Sequence, residues 1–108
     1  MKQDTHKADA LLRPHIIAAI HRIPDRRFST RRIIDALRAE PEGEAAYQQA
    51  FELFGGGVEW NEPAYQVLHG QVIAGLMRSS GVVKFAGFIH GFPEEDDGYS
   101  VPTWWQKL

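Results

Sequence analysis

The 108-residue chain contains no cysteine. This absence excludes disulfide bonds, thiol nucleophiles and thiolate metal sites together, and it favours a reducing, cytoplasmic location. No apolar run approaches the roughly 20 residues that a transmembrane helix needs. The first seven residues, MKQDTHK, are polar and lack the apolar core of a signal peptide. We therefore expect a cytoplasmic protein with no membrane partner.

The sequence also lacks the short motifs of common active sites. There is no nucleophile elbow and no zinc-protease motif, and the glycines at 55–57 lack the following Lys-Ser/Thr of a phosphate loop. No two histidines are spaced to bind a metal from one helix face. His69, next to apolar positions, is more simply a half-buried residue than a ligand. We predict no enzymatic activity, no cofactor and no metal site.

One short segment is strongly acidic, and we call it the acidic turn: Glu94, Glu95, Asp96 and Asp97. Its four carboxylates are consecutive, which differs from the alternating ligand spacing of a calcium loop. A solvated turn is therefore the simpler interpretation. We expect the turn to point away from any surface that carries phosphate groups, which repel carboxylates, or to dock on a basic protein surface, such as the arginines of another subunit.

Net charge is −2, but the charges are unevenly distributed. Residues 1–38 hold nine Lys/Arg and four Asp/Glu, whereas residues 39–108 hold three Lys/Arg and ten Asp/Glu. Such asymmetry is typical of a protein with a charged partner, although two differently charged solvated faces would give the same count. The positive charge is concentrated in four residues that we call the arginine cluster: Arg26, Arg27, Arg31 and Arg32.

The length and the absence of repeats predict one domain over residues 1–108, with residues 1–7 frayed. Apolar spacing predicts helices over residues 14–23, 30–39 and 42–54, with Pro14 either kinking or starting the first. Ser29 or Thr30 is suited to cap the second helix after a short extended segment.

The C-terminal part of the chain predicts a hairpin. Its first strand is an apolar run over residues 82–92 with a bulge at Gly87, and its return strand covers residues 99–105. Pro102 indicates that the return strand lies at an edge.

Between these regions lies the stretch from Asn61 to Ser80, which we call the central helix. Asn61 can cap it, and Pro63 suits its first turn. Four apolar residues at helical spacing form its buried stripe, and two more widen it: Tyr65, Leu68, Val72, Leu76, Ile73 and Met77. Gly81 is placed to end the helix.

A helix that ends at a glycine and leads into a hairpin resembles the third helix and wing of a winged helix-turn-helix domain. Residues 27–37, RFSTRRIIDAL, resemble the short strand and second helix of the same superfamily. The resemblance implies a mainly α fold with a small β-hairpin (α+β), and with an extra helix inserted between the second and third helices. It also implies a double-stranded DNA-binding protein without catalysis, a small regulator of transcription.

The winged-helix resemblance assigns roles to particular residues. The arginine cluster would contact DNA phosphates. Arg31 and Arg32 also lie in a first helical turn, where the helix dipole disfavours cations. On the acid-free face of the central helix, Gln66, Gln71 and Arg78 would contact base edges. Gly70 and Ala74 would allow close approach to DNA.

Other interpretations remain open from the sequence. The arginines could pair with the acidic half of the chain, and the central helix could simply present a polar face. Residues 31–39 and 43–54 could form the helix-turn-helix instead. The whole chain could be a winged-helix module for protein–protein contact that does not bind DNA.

Because side chains alternate along a strand, one of Trp104 and Trp105 should be buried and the other available to a partner, such as the second chain of a homodimer.

Overall fold

The computed structural model describes residues 2–55 and 62–108. The described helices are α1 (Lys2–Arg22), α2 (Thr30–Ala39), α3 (Pro41–Leu53), α4 (Glu62–Val67) and α5 (Ala74–Ser79). A π-helical segment, Leu68–Ile73, joins α4 to α5, so that residues 62–79 form one central helix. Three strands follow this order in the chain: β1 (Arg27–Ser29), β2 (Val83–Phe88) and β3 (Thr103–Lys107). A mainly α fold with a small antiparallel sheet confirms the predicted α+β class.

Helix α1 is longer than the sequence predicts. It begins at Lys2, within the segment that the sequence predicts to be frayed. It also continues through Pro14, which is exposed on the surface of the helix. Proline removes one backbone hydrogen bond, but the apolar stripe continues on both sides of it and holds the helix together by burial. The stripe comprises Ala8, Leu12, Ile16, Ala19, Ile20 and Ile23.

Helix α2 follows β1 directly. The Ser29 hydroxyl caps it by accepting a hydrogen bond from the Arg32 amide at 3.1 Å, as predicted. Its buried stripe is Ile33, Ile34 and Leu37. It ends at Ala39, and Pro41 opens α3. Gly43 lies so close to α2 that a Cβ added there would be 2.1 Å from the Leu37 carbonyl oxygen, which explains why a glycine occupies this position.

The sheet has the strand order β1-β3-β2, and both pairings are antiparallel. The return strand β3 is therefore the middle strand, and the edge position inferred from Pro102 is wrong. Pro102 precedes β3, so it removes no ladder hydrogen bond, and its carbonyl accepts one from Ile89 at 3.0 Å. The pairing of β2 with β3 is irregular between Phe85 and Phe88. Gly87 lies there with φ of 111°, which confirms the predicted bulge.

One hydrophobic core joins the helices to the sheet. It contains apolar side chains of α1, α2, α3 and the central helix together with Phe28, Val83 and Trp105 from the three strands. The predicted cap Asn61 and the glycines at 56 and 57 lie outside the described residues. No helix within residues 2–55 and 62–108 is both long and apolar enough to cross a membrane.

Candidate functional site

The arginine cluster surrounds the junction of β1 and α2. All four guanidinium groups belong to exposed residues. Arg27 lies over the ring of Trp104, with its guanidinium carbon 4.9 Å from the ring centroid. Arg31 donates to the backbone carbonyl of Asp96 at 3.1 Å. Arg32 is 3.9 Å from a carboxylate oxygen of Asp25, too far for a hydrogen bond.

Other arginines of this chain are paired differently. Arg13 binds both carboxylate oxygens of Asp9 at 2.9 Å. Arg38 binds both oxygens of Glu44 at 2.7 and 3.0 Å, which raises the pKa of Arg38 and lowers the pKa of Glu44. Within the part of the chain that the structure describes, no residue of the arginine cluster has such a pair. None of the four forms an ion pair with the acidic half of the chain among these residues, although Arg31 binds the acidic turn through a backbone carbonyl.

The acidic turn folds back onto this same junction. The Ser29 hydroxyl donates a short hydrogen bond to the carboxylate of Glu95, and Arg31 binds the Asp96 carbonyl. No acidic residue lies in the first turn of α2 itself. Glu95 therefore supplies the negative charge that the positive end of the α2 dipole favours. The turn meets the arginine cluster of its own chain through the Asp96 carbonyl, and among the described residues none of its carboxylates forms an ion pair with an arginine.

Asp97 differs from its three acidic neighbours because its side chain is only 6% exposed. It accepts hydrogen bonds from His69 Nδ1 at 2.8 Å, from the amides of Tyr99 and Ser100 at 3.2 and 2.9 Å, and from the Ser100 hydroxyl at 2.9 Å. Burial raises the pKa of Asp97, but these hydrogen bonds lower it by more, and the net pKa lies well below the usual range. The expectation of a solvated turn is wrong for this residue.

His69 continues the chain of hydrogen bonds to α3. Its Nε2 atom lies 2.6 Å from the hydroxyl oxygen of Tyr47. Burial raises the pKa of Tyr47, so this hydroxyl stays protonated at neutral pH. The arrangement is satisfied when Tyr47 donates to Nε2 and Nδ1–H donates to Asp97, the tautomer that we assign from these partners. His69 is 5% exposed, which confirms that it is a satisfied buried residue.

His69 lies in the π-helical segment, a feature that was not predicted from the sequence. The buried positions of this region repeat every four residues: Leu68, Val72 and Leu76, and in parallel His69, Ile73 and Met77. Residues four apart also share one face of an α-helix, so this spacing does not by itself indicate a π-helix. Within this segment His69 contacts Asp97 and Tyr47, and both rows are buried.

The predicted base-contacting residues Gln66, Gln71 and Arg78 are all exposed, and each belongs to a different segment of the central helix. Part of the face between them is covered. The ring of Tyr99 stacks on Tyr65 with centroids 4.8 Å apart and 16° between the planes. A Cβ on Gly70 would lie 3.4 Å from the Tyr99 carbonyl oxygen. Gly70 therefore faces this chain's own hairpin loop.

The two tryptophans have the predicted opposite environments. Trp105 is 1% exposed, and its Nε1 donates to the Thr30 hydroxyl at 2.8 Å. It is therefore part of this chain's core and is not available to a partner. Trp104 is half-buried between Arg27 and Phe92. Of the two tryptophans, only Trp104 therefore remains a candidate for contact with a partner chain.

Sequence reasoning also missed three exposed aromatic residues of the hairpin. Phe85, Phe88 and Phe92 are 49%, 57% and 52% exposed. The signal was present, because residues 82–92 contain more large apolar side chains than one face of a strand can bury. Phe85 and Phe88 contact each other, with ring centroids 5.1 Å apart.

Within the described ranges, no group of three or more His, Asp or Glu side chains could hold a metal ion. The Tyr47–His69–Asp97 chain is nearly closed to solvent, and it links α3, the central helix and the acidic turn. Comparison of the chain with protein-family models, with curated proteins and with solved structures finds no match.

Proposed function

We propose that the protein is a winged-helix domain that binds double-stranded DNA and acts as a small transcriptional regulator. The order of elements supports this assignment: helix, short strand, helix, inserted helix, central helix and hairpin. The inserted helix is α3.

The observation that carries the DNA proposal is the state of the arginine cluster. Four exposed guanidinium groups lie around the β1–α2 junction without a hydrogen-bonded carboxylate among the described residues. Concentrated positive charge is what a phosphate backbone binds, and arginine donors suit phosphate oxygens in geometry as well as in charge. In this proposal the cluster fixes the position of the protein on the duplex.

The central helix supplies sequence readout in the same proposal. Gln66, Gln71 and Arg78 are exposed and carry the donors and acceptors that suit adenine and guanine edges. The neighbouring Gly70 faces Tyr99. In this proposal the base contacts therefore come from the three exposed side chains and not from the whole face of the helix.

The first test uses two exposed arginines of the cluster, Arg26 and Arg32. Changing both to Ala should weaken binding to a random duplex and reduce the salt slope of the binding constant by about 1.8, at about 0.9 for each phosphate that the variant no longer neutralises. The matched control changes Lys7 and Arg13, two cations on α1, to Ala and removes the same charge. Binding should be measured by fluorescence anisotropy at several salt concentrations. An equal reduction of the slope in both double variants would show a net-charge effect and contradict the proposal.

A second candidate function is contact with another protein chain, which the exposed hairpin aromatics favour. Trp104, Phe92 and Phe88 present apolar surface that a partner could bury. The partner that we propose is a second copy of this chain. Sedimentation equilibrium should then show a mass that rises with concentration and returns to that of a monomer in Trp104→Ala. A monomeric mass for the parent at every concentration rules the homodimer out.

A further inference from the structure

The acidic turn binds the same two elements that the proposed function assigns to DNA. Its Glu95 carboxylate accepts from Ser29 at the start of α2, and its Asp96 carbonyl accepts from Arg31 of the arginine cluster. Its Asp97 carboxylate accepts from His69 of the central helix. The turn therefore bridges the phosphate-binding and base-reading parts of the candidate interface.

The residues after the turn strengthen this attachment. Tyr99 stacks on Tyr65, and its carbonyl oxygen lies against Gly70, both on the central helix. Two kinds of interaction hold the loop down: hydrogen bonds of its carboxylates and carbonyl, and an aromatic stack. A loop attached in this way excludes a duplex from the surface beneath it.

The charge on the turn matters as much as its position. A carboxylate that accepts hydrogen bonds beside arginines at a helix start presents the same charge and the same acceptor atoms as a DNA phosphate. We propose that the acidic turn is an autoinhibitory contact, in which Glu95 and its neighbours occupy the surface where DNA phosphates would bind. This inference rests on the proposed function and adds that the acidic turn competes with DNA for the same surface. Duplex DNA and the turn exclude each other from the start of α2.

The roles within the turn are divided. Asp97 is buried and anchors the loop through His69, whereas Glu94 is exposed and Glu95 is half-buried on Ser29. Glu95 is therefore the residue whose charge competes with DNA, and Glu94 offers the same charge without that hydrogen bond to Ser29. This difference permits a controlled test that leaves Asp97 in place.

The experiment compares three single variants of the full chain with the parent, using a random duplex at low salt. Glu95→Gln removes the competing charge, and Tyr99→Ala loosens the loop without changing any charge. Both should bind about tenfold tighter, the change expected when the contact holds the binding-competent state at about one-tenth of the population. Glu94→Gln removes one equivalent charge and should change the affinity by less than about threefold. Urea denaturation of each variant checks that it is folded.

The outcomes separate the two proposals. If Glu94→Gln and Glu95→Gln tighten binding equally while Tyr99→Ala does nothing, the effect is general charge and autoinhibition is overturned, with DNA binding intact. If the parent binds DNA and its Glu95 and Asp96 amide NMR signals do not move on binding, autoinhibition is overturned as well. If neither the parent nor any variant binds at low salt, the proposed function itself fails.

Discussion

Replacement of Trp105 by Ala is expected to lower the free energy of unfolding by about 3–5 kcal/mol, the range for removing a large buried aromatic side chain. Trp105 is 1% exposed and lies in the middle strand, opposite Phe28 on one side and Phe85 on the other. Its removal also leaves the buried Thr30 hydroxyl without the indole donor. Urea denaturation followed by far-UV circular dichroism measures the change.

The neighbouring residue provides the matched control. Trp104 has the same side chain on the same strand, but it is half-buried and packs against Arg27 and Phe92 at the surface. Trp104→Ala should cost less than about 1.5 kcal/mol, because only part of its apolar surface is buried in the folded chain. Equal losses of stability in the two variants would contradict the assignment of Trp105 to the core and Trp104 to the surface.

Replacement of Asp97 by Ala should cost about 3 kcal/mol, because it leaves buried donors unsatisfied. The Nδ1–H of His69 and the amide of Ser100 would lose their acceptor in a region closed to solvent. The exposed Glu94→Ala should change stability by less than about 0.5 kcal/mol. A small loss of stability in Asp97→Ala would mean that the link between the acidic turn, His69 and Tyr47 does not stabilise the fold.

The effect of Asp97 also depends on pH. Its pKa is lowered in the folded state, so its contribution to stability is present above the unfolded-state value of about 3.9 and is lost as pH falls towards the folded-state pKa. The stability difference between the parent and Asp97→Asn should therefore be greatest near neutral pH and decrease below about pH 4. Denaturation midpoints measured between pH 3 and pH 7 test this. A difference that stays constant over that range contradicts the role of the ionised carboxylate.

Short-range sequence signals predicted much of the helical part of the fold. The apolar spacing of α2 and α3, the Ser29 cap and the glycine after the central helix are short-range signals, and each led to an element with nearly the predicted bounds. The bulge at Gly87 was found for the same reason, because it depends on one residue within one strand. These signals need no knowledge of the rest of the chain.

The parts that were missed depend on interactions between distant residues. The middle position of β3 is decided by the pairing of residues 27–29 with residues 104–106, and nothing near Pro102 reports it. In the sequence, nothing distinguishes Asp97 from the other three acids of the turn. Only the fold brings His69 next to it. The arginines in the first turn of α2 looked uncompensated because Glu95, which lies at the start of that helix, is far away in sequence.

The strand order has a consequence for how the molecule is made. Both β1 and β2 pair only with β3 in this sheet, and β3 is the last of the three to be synthesised. While the chain grows on a ribosome, α1, α2 and α3 can form and pack by local interactions, but the sheet cannot assemble until residues 103–107 have emerged. Pairings of such long sequence separation are slow to form. Phe28 therefore stays without its cross-strand partner Trp105 until the end of synthesis, so the newborn chain is open to aggregation for longer than its helices alone would require.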